Sequence, residues 1–320
     1  MSLLGGVAKA VKRSFRPDIS IFHEFVKPPY GGGNQFALAL RGEMERRGFA
    51  VEANRISKSS RVCLFNSFNF DFAKLEAFKA ARPGCRMIHR VDGPISVYRG
   101  RDDGTDERIR DINEKLADAT VFQSRYSLEK HRELGLLLKN PVIITNACDP
   151  FIFNRIGKDD SARGGKIKIV SSSWSDNPNK GGDVYKWLDG NLDFSRYEYT
   201  FVGRVKASFR NINMAGSVGS RELADILKSH HIYLTASRNE PCSNALIEAL
   251  SCGLPAVYLK SGSHPEVVKD GGEGFSSNDE ALAAINKVSA DLAGYATRIK
   301  VAGIPEVADQ YLSVMGLGNS

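Results

Sequence analysis

The stretch "IYLTASRNEPCSNALIEALSCGLPAVYL", residues 232–259, joins two short apolar runs through one helical segment. Its first run, residues 232–237, has the length and composition of a strand. Residues 243–251 have the pattern of a helix, which ends at Gly253, and "PAVYL" follows as a second strand. A strand, a helix and a strand joined by short connections predict parallel neighbours in one sheet that is covered by helices.

The same alternation extends along the chain on both sides of this unit. We therefore predict an α/β protein with two Rossmann-like doubly wound parallel-sheet domains, residues 1–152 and 165–300, which face a central cleft. The polar stretch 149–165 connects them. The other predicted strands are residues 18–25, 49–54, 61–66, 85–91, 120–123, 142–145, 166–173 and 199–204. The predicted helices are residues 34–48, 71–80, 107–117, 126–135, 182–189 and 220–230, with a further helix from about 279.

The composition is that of an ordinary globular protein, with 42% hydrophobic and 25% charged residues among 320. The chain has no apolar run of the roughly 20 residues that a membrane span needs. Its N-terminus lacks the features of a signal peptide. Five scattered cysteines without a CxxC pair indicate reduced thiols, and the six histidines show no ligand spacing with them. We therefore expect a cytoplasmic location, no metal site and no cofactor.

A net charge of +7 favours an anionic partner, either the phosphates of a small ligand or acidic lipid headgroups. No basic stripe interleaved with aromatic residues is present, so we expect no nucleic acid. Residues 1–16 hold a basic cluster among apolar residues at helical spacing. This segment is either a short interfacial helix, in peripheral contact with the anionic inner face of the membrane, or a frayed terminus. The cluster consists of Lys9, Lys12, Arg13 and Arg16.

Candidate ligand groups are those that follow strands, because ligands of open α/β sheets bind beyond the carboxyl ends. Gly31, Gly32 and Gly33 follow the first strand and lead into a helix. Consecutive glycines allow backbone amides to approach an anion at a helix N-terminus, although a flexible turn has the same composition.

The segment "MIHRVDGP" places His89, Arg90 and Asp92 at a predicted strand end. His89 is either a hydrogen-bonded structural residue or a residue of the cleft. Arg90 and Asp92 are candidates for lining the cleft or for contact with a second substrate, the acceptor of a transferred group. The following loop, residues 93–106, is hydrophilic and is a candidate for contact with a second substrate.

In the second half, Lys180 precedes Gly181 and Gly182 at a predicted helix start, and Arg204 ends the next predicted strand. Two cations at adjacent strand ends suit a diphosphate, whose charge requires fixed positive groups. Each residue alone would be ordinary surface charge.

The turn after residues 232–237 contains Glu240, and Asn244 and Glu248 share one face of the following helix. Carboxylates accept hydrogen bonds from the hydroxyls of a sugar or a ribose. The turn amides of Cys242, Ser243 and Asn244 point in the direction of the helix N-terminus. Glu248 could otherwise be an ordinary solvent-facing helix residue.

The motifs "E-PCSNALI-E", "CGLPAV", "GSHPEVV" and "NPNKGGD", with the glycine-rich first loop, resemble the retaining GT-B-fold glycosyltransferases, GT4-like (glycosyl transferases group 1). The order "HRVDGP…NPNKG…PCSNALIEALSCGLP" is similar to a bacterial and viral branch of that family. The resemblance covers roughly residues 18–275. It implies the GT-B fold, in which a C-terminal helix within residues 301–320 returns to the first domain.

The resemblance also implies a metal-independent transfer of sugar from a nucleotide-diphosphate sugar to a glycan, lipid-linked or protein acceptor, with retention of configuration. By position, Glu240 would hold sugar hydroxyls, Glu248 the ribose and Lys180 the diphosphate. His89 would be the cleft histidine near the reacting carbon. The remaining implied donor contacts are Gly32, Gly33, Cys242, Ser243 and Asn244.

One departure from the family is that Ser172-Ser173 stand where the family usually has Gly-Arg. Arg204 is our candidate to replace that arginine. Two other classes of protein stay open at this point, a GT-B-fold epimerase or phosphorylase-like enzyme and a non-catalytic nucleotide-sugar-binding protein.

Overall fold

The computed structural model describes residues 16–23, 25, 32–68, 70–158 and 165–318. Within them the chain forms two parallel six-stranded sheets with helices on both faces. The stretch at residues 232–259 forms a strand, a helix and a strand, and Tyr233 pairs with Ala256 in parallel register. The predicted α/β fold with two doubly wound parallel sheets is confirmed.

The first sheet has the strand order β2-β1-β3-β4-β5-β6. In chain order its elements are β1 (Ile19–Phe22), α1 (Gly32–Arg46), β2 (Val51–Ala53), β3 (Val62–Asn66), α2 (Phe72–Ala81), β4 (Arg86–Val91), α3 (Ile95–Arg99), α4 (Thr105–Leu116), β5 (Ala119–Phe122), α5 (Arg125–Glu133) and β6 (Pro141–Ile143).

The second sheet has the strand order β12-β11-β10-β7-β8-β9. Its elements are β7 (Ile167–Trp174), a 3-10 turn (Pro178–Lys180), α6 (Gly182–Asn191), β8 (Tyr197–Arg204), β9 (Asn213–Ala215), α7 (Ser220–Lys228), β10 (Ile232–Thr235), α8 (Asn244–Ser251), β11 (Ala256–Leu259), α9 (His264–Val268), β12 (Gly272–Phe275), α10 (Asn278–Ala290), α11 (Leu292–Arg298) and α12 (Ile304–Met315).

Side chains of the first sheet alternate between two apolar layers, because successive residues of a strand point to opposite faces. Leu64 packs with α1 and α12, whereas the next residue, Phe65, packs with α2 and α4. The ring of Tyr311 on α12 lies 5.9 Å from that of Phe36 on α1. The last described helix of the chain therefore belongs to the core of the first domain.

The two domains are held together by direct hydrogen bonds on one side of the cleft. The Glu266 carboxylate accepts the backbone N–H groups of Arg125 and Tyr126, both at 3.0 Å, from the first turn of α5. The hydroxyl of Tyr126 bonds to the side-chain oxygen of Asn239 at 3.2 Å. A carboxylate on a helix N-terminus satisfies free amides and complements the helix dipole. Glu266 therefore fastens the second domain to the first.

Replacing Glu266 with alanine is expected to loosen this contact. The amides of residues 125 and 126 lose their acceptor, so their hydrogen exchange should become about tenfold faster. Glu222→Ala, which removes an exposed acidic residue from the first turn of α7, is the matched control. Equal exchange rates at residues 125 and 126 in both variants would contradict the role given to Glu266.

Candidate functional site

A cavity of about 500 Å³ lies between the two domains, at the carboxyl ends of both sheets. From the first domain, residues at the ends of β1, β3, β4 and β5 line it. From the second domain, the ends of β7 and β10 and the turn before α8 line it. These residues include His23, Asn66, Asp92 and Gln123 on one side and Ser172, Ser173, Trp174, Ser175, Lys180, Thr235, Ser237 and Glu240 on the other.

Two helix N-termini, one from each domain, line this cavity. Gly32 and Gly33 begin α1, and Asn244 begins α8. A Cβ atom on Gly32 would lie 2.7 Å from the side-chain Nδ2 of Asn244, so the start of α1 packs directly against the first side chain of α8. Helix N-termini carry free N–H groups and positive dipole ends, and both favour an anion. The arrangement is suited to a phosphate group between the helices.

Lys180 supplies a fixed positive charge at the same place. Its ammonium group forms an ion pair with Glu240 and lies 5.3 Å from the ring centre of Tyr98. Burial lowers the pKa of Lys180, but the Glu240 carboxylate and Tyr98 outweigh it, so the net pKa lies well above its ordinary value. Gly181 has φ of +78°, and a Cβ there would lie 2.3 Å from the carbonyl oxygen of Ala236. Glycine thus permits the turn that presents Lys180.

His89 does not line the cavity, which corrects its predicted place in the cleft. Its side chain is fully buried inside β4, with Nε2 2.9 Å from the carbonyl oxygen of Ser67 and Nδ1 3.0 Å from the amide nitrogen of Asn113. The ring also stacks on Phe65 at 4.4 Å. Burial lowers the pKa of His89 to about 4. It is a structural histidine of the first domain.

The histidine that lines the cavity is His23, directly after β1. It is 93% buried, since its relative exposure is 7%, and neither ring nitrogen has a hydrogen-bond partner among the described residues. Burial, and then the charge of Arg90, lower the pKa of His23 to about 4. The imidazole is therefore neutral at pH 7, with one donor and one acceptor that the described residues leave unpartnered.

Arg90 is also displaced from the predicted position, because it is buried within β4 and does not line the cavity. It donates to the Asn146 side chain at 2.9 Å, and Asn146 donates to Asn244 at 3.1 Å. Arg90 thus supports the start of α8 indirectly. Asp92 does line the cavity, where it accepts a hydrogen bond from the Ser67 hydroxyl at 2.9 Å.

Arg204 lies outside the cavity lining, so the structure does not place it beside Lys180. It ends β8, with 59% of its side chain exposed, and donates to the carbonyl oxygen of Trp174 at 2.7 Å. The positions of Ser172 and Ser173 do line the cavity. Serine hydroxyls therefore line the cavity at the position where the glycosyltransferase family usually has an arginine.

Glu248 lines a second cavity of about 230 Å³, which Asn244 separates from the first because it lines both. Its carboxylate has no hydrogen-bond partner within the described part of the chain. Gln35, on the opposite wall, has an unpartnered side-chain nitrogen. Desolvation raises the pKa of Glu248 to about 8. The predicted alternative of a solvent-facing residue is wrong, since Glu248 is buried.

The stability of the Glu248→Gln variant relative to the wild type is expected to increase as the pH rises. The folded protein holds the Glu248 proton up to about pH 8, whereas the unfolded chain loses it near its ordinary pKa of 4.5. The wild type therefore loses stability as the pH rises through this window. The Tm of the variant should exceed that of the wild type by about 4 °C at pH 8.5 and by little at pH 5. Glu129→Gln, on the exposed face of α5, should show no such difference, and a pH-independent Tm gap would contradict the assignment.

Of the remaining predicted donor contacts, the structure brings Cys242 and Ser243 to the main cavity beside Asn244. Gly31 and residues 1–15 lie outside the described residues. The described ranges contain no group of three or more His, Cys, Asp or Glu side chains placed to hold a metal ion. None of the described helices is long and apolar enough to cross a membrane.

The match to a known family lies in the second domain. Residues 195–293 match the family model described as Glycosyl transferases group 1. The gpi3 subunit of phosphatidylinositol N-acetylglucosaminyltransferase from Schizosaccharomyces pombe is 37% identical over 87 residues. A subunit of the enzyme of the same name from Arabidopsis thaliana is 33% identical over 90 residues. These segments cover 27% and 28% of this chain but only 17% and 18% of the two relatives.

Solved structures match nearly the whole chain at low identity. Sucrose-phosphate synthase from Thermosynechococcus elongatus has a TM-score of 0.72 at 13% identity, over 93% of this chain and 98% of that one. Anabaena HepE, solved in complex with UDP-glucose, has a TM-score of 0.66 at 14% identity, over 92% and 99%. The two-domain α/β fold of this chain is the GT-B fold. The segment that matches the group 1 model contains Glu240 and Glu248.

Proposed function

We propose that this protein is a glycosyltransferase that takes a sugar from a nucleotide-diphosphate sugar and transfers it with retention of configuration, without a metal. The observation that carries the proposal is the position of Lys180. This cation, with 15% of its side chain exposed, is paired with Glu240 in a cavity lined by two helix N-termini of opposite domains. Two fixed dipoles and one cation can balance the charge of a diphosphate without a metal ion.

The donor would span both cavities, with its sugar and diphosphate in the main cavity and its nucleoside towards the smaller one. Its diphosphate would lie between Gly32–Gly33 and the amides of residues 242–244, next to Lys180. The nucleoside would extend towards the smaller cavity, where Glu248 meets the ribose. A carboxyl group with a raised pKa can both donate to and accept from ribose hydroxyls. The sugar would then lie towards Glu240 and His23. HepE, which has the same fold, binds UDP-glucose, and this supports a donor of that type.

In the transfer step, an acceptor hydroxyl forms a bond to the anomeric carbon as the bond from that carbon to the diphosphate oxygen breaks. The departing diphosphate takes the bonding electrons and receives the proton of the acceptor. Lys180 and the helix amides stabilise the charge that develops on it. Attack from the face that the diphosphate leaves would retain the configuration. Neutral His23 takes the place near the sugar that the sequence assigned to His89.

The proposed acceptor is a glycan, a lipid-linked intermediate or a protein. The fission-yeast and Arabidopsis relatives are named for transfer to phosphatidylinositol, which favours a lipid-linked acceptor. A cytoplasmic location, with residues 1–16 in peripheral contact with the inner face of a membrane, would suit such an acceptor.

The direct test is a transfer assay with a panel of nucleotide-sugars. Release of nucleoside diphosphate should depend on an acceptor and persist in EDTA. NMR of the product should show the anomeric configuration of the donor. Isomerisation of the sugar without an acceptor would indicate an epimerase. Binding without release or slow hydrolysis would indicate a non-catalytic binding protein.

A further inference from the structure

The half of the main cavity formed by the first domain extends beyond the groups assigned to the donor. The helix α3 forms part of its wall and is fixed to the second domain. The carbonyl oxygen of Tyr98 accepts a hydrogen bond from the Asn179 side chain at 2.9 Å, and its ring lies over Lys180. Arg99, the next residue, also lines the cavity and is exposed at its mouth. Arg99 is therefore held close to the site assigned to the diphosphate.

A second arginine shares the aromatic neighbour of Arg99. The guanidinium groups of Arg99 and Arg108 lie 5.8 Å and 5.4 Å from the ring centre of Phe68, which itself lines the cavity. In the described residues neither guanidinium lies within ion-pair distance of a carboxylate, although Arg99 is close enough to Asp103 to act on its charge. The neighbouring arginines differ in this respect, since Arg101 pairs with an aspartate at 3.6 Å and Arg110 does so at 3.0 Å.

Two guanidinium groups around one ring repel each other, and each can form two parallel hydrogen bonds to a phosphate. A phosphate between them would replace the missing carboxylates. Phe68 lines the cavity and so offers apolar surface beside this phosphate to the sugar or polyol that carries it. Arg101 and Arg110 differ in that each already lies within ion-pair distance of an aspartate.

We propose that the acceptor of this enzyme carries a phosphate group, which Arg99 and Arg108 bind at the mouth of the cavity beside Phe68. The inference rests on the proposed transferase function and specifies the acceptor of that site. The phosphate belongs either to a soluble sugar phosphate or to the headgroup of a lipid. Both present the same chemistry to the arginines, and they are separated by experiment.

The test compares Arg99→Gln and Arg108→Gln with Arg110→Gln as the matched control on α4. Glucose 6-phosphate is titrated into each protein by calorimetry. Sedimentation with phosphatidylcholine vesicles is measured with and without phosphatidylinositol. Both measurements are made with and without a saturating nucleoside diphosphate, whose own affinity is recorded separately. The first two variants should bind one of the probes about tenfold more weakly than the wild type, and the control should bind it normally.

The outcomes separate the two sources and the two hypotheses. A loss confined to glucose 6-phosphate indicates a soluble acceptor, and a loss confined to phosphatidylinositol vesicles indicates a lipid acceptor. The proposal is overturned if the wild type binds neither probe, or if Arg99→Gln and Arg110→Gln bind both probes equally. Failure of the wild type to bind any nucleoside diphosphate would instead contradict the proposed transferase function. In that case, probe binding measured without nucleotide would still show whether Arg99 and Arg108 bind phosphate.

Discussion

Replacing Lys180 with methionine is expected to weaken the binding of a nucleoside diphosphate by about 100-fold. A hydrogen-bonded charge of this kind contributes about 1.5–3 kcal/mol. The loss is enlarged because Glu240, no longer neutralised, would face the phosphates with its own negative charge. Calorimetry with the nucleoside diphosphate that binds the wild type measures the effect.

Two variants separate binding from folding in this experiment. Lys180→Met leaves Glu240 buried without a partner, and an unpaired buried charge costs about 3–5 kcal/mol. The double variant Lys180→Met/Glu240→Gln removes both charges and should recover stability but not affinity. Lys186→Ala, which removes an exposed lysine from α6, should bind normally. A folded Lys180→Met protein with affinity within about threefold of the wild type would contradict the diphosphate site.

Replacing Glu240 with glutamine is expected to lower the rate of sugar transfer without weakening the binding of the free nucleoside diphosphate. Transfer should fall about 100-fold, because the sugar hydroxyls lose a charged acceptor that is buried in the cavity. Binding of the free nucleoside diphosphate should stay equal or become tighter, since Lys180 no longer shares its charge with Glu240. The ratio of affinities for the nucleotide-sugar and the free diphosphate, measured in the same variant, reports the sugar contact alone.

The free diphosphate is the internal control for this variant. Normal affinity for it shows that the cavity is intact and that the loss belongs to the sugar. Equal weakening of both ligands would place Glu240 with Lys180 in the phosphate site. Unchanged transfer would remove Glu240 from the reaction.

The fold was predictable from sequence because strand and helix patterns alternate regularly in both halves. The elements that were missed are short, such as α3, α9 and β12, and their four or five residues carry little periodic signal. The grouping of Lys180, Glu240 and the start of α8 was also predictable. Each of them follows a strand of one parallel sheet, and the carboxyl ends of such strands meet at one edge.

His89 was predicted for the cleft, whereas the structure buries it within β4 and lines the cavity with His23. The predicted end of β4 at Val91 is correct, so the position of the strand end does not explain this difference. In "DISIFHEF" β1 ends at Phe22, which releases His23 into the cavity. Both strands have buried residues on their two faces, so alternation could not show which side a histidine takes.

The positions of Arg204 and Glu248 relative to the main cavity depend on distances that a sequence does not contain. Strand β8 lies beyond β7, towards the sheet edge and away from β10, so its end lies to one side of the cavity. Glu248 lies four residues after Asn244 on the same face of α8, and only the packing of α1 shows that a separate cavity begins there.

The most direct measurement of the central claim is thermal stabilisation of the wild type by nucleotide-sugars and by free UDP, GDP and ADP. A ligand at 100 times its Kd adds about 2.7 kcal/mol of stability. At least one nucleoside diphosphate should therefore raise the Tm by about 5 °C. The corresponding nucleoside without phosphates should give a much smaller rise, and the same concentration of diphosphate should raise the Tm of Lys180→Met by only about 1 °C. If no nucleoside diphosphate or nucleotide-sugar stabilises the wild type, the cavity between the domains is not a nucleotide-sugar site.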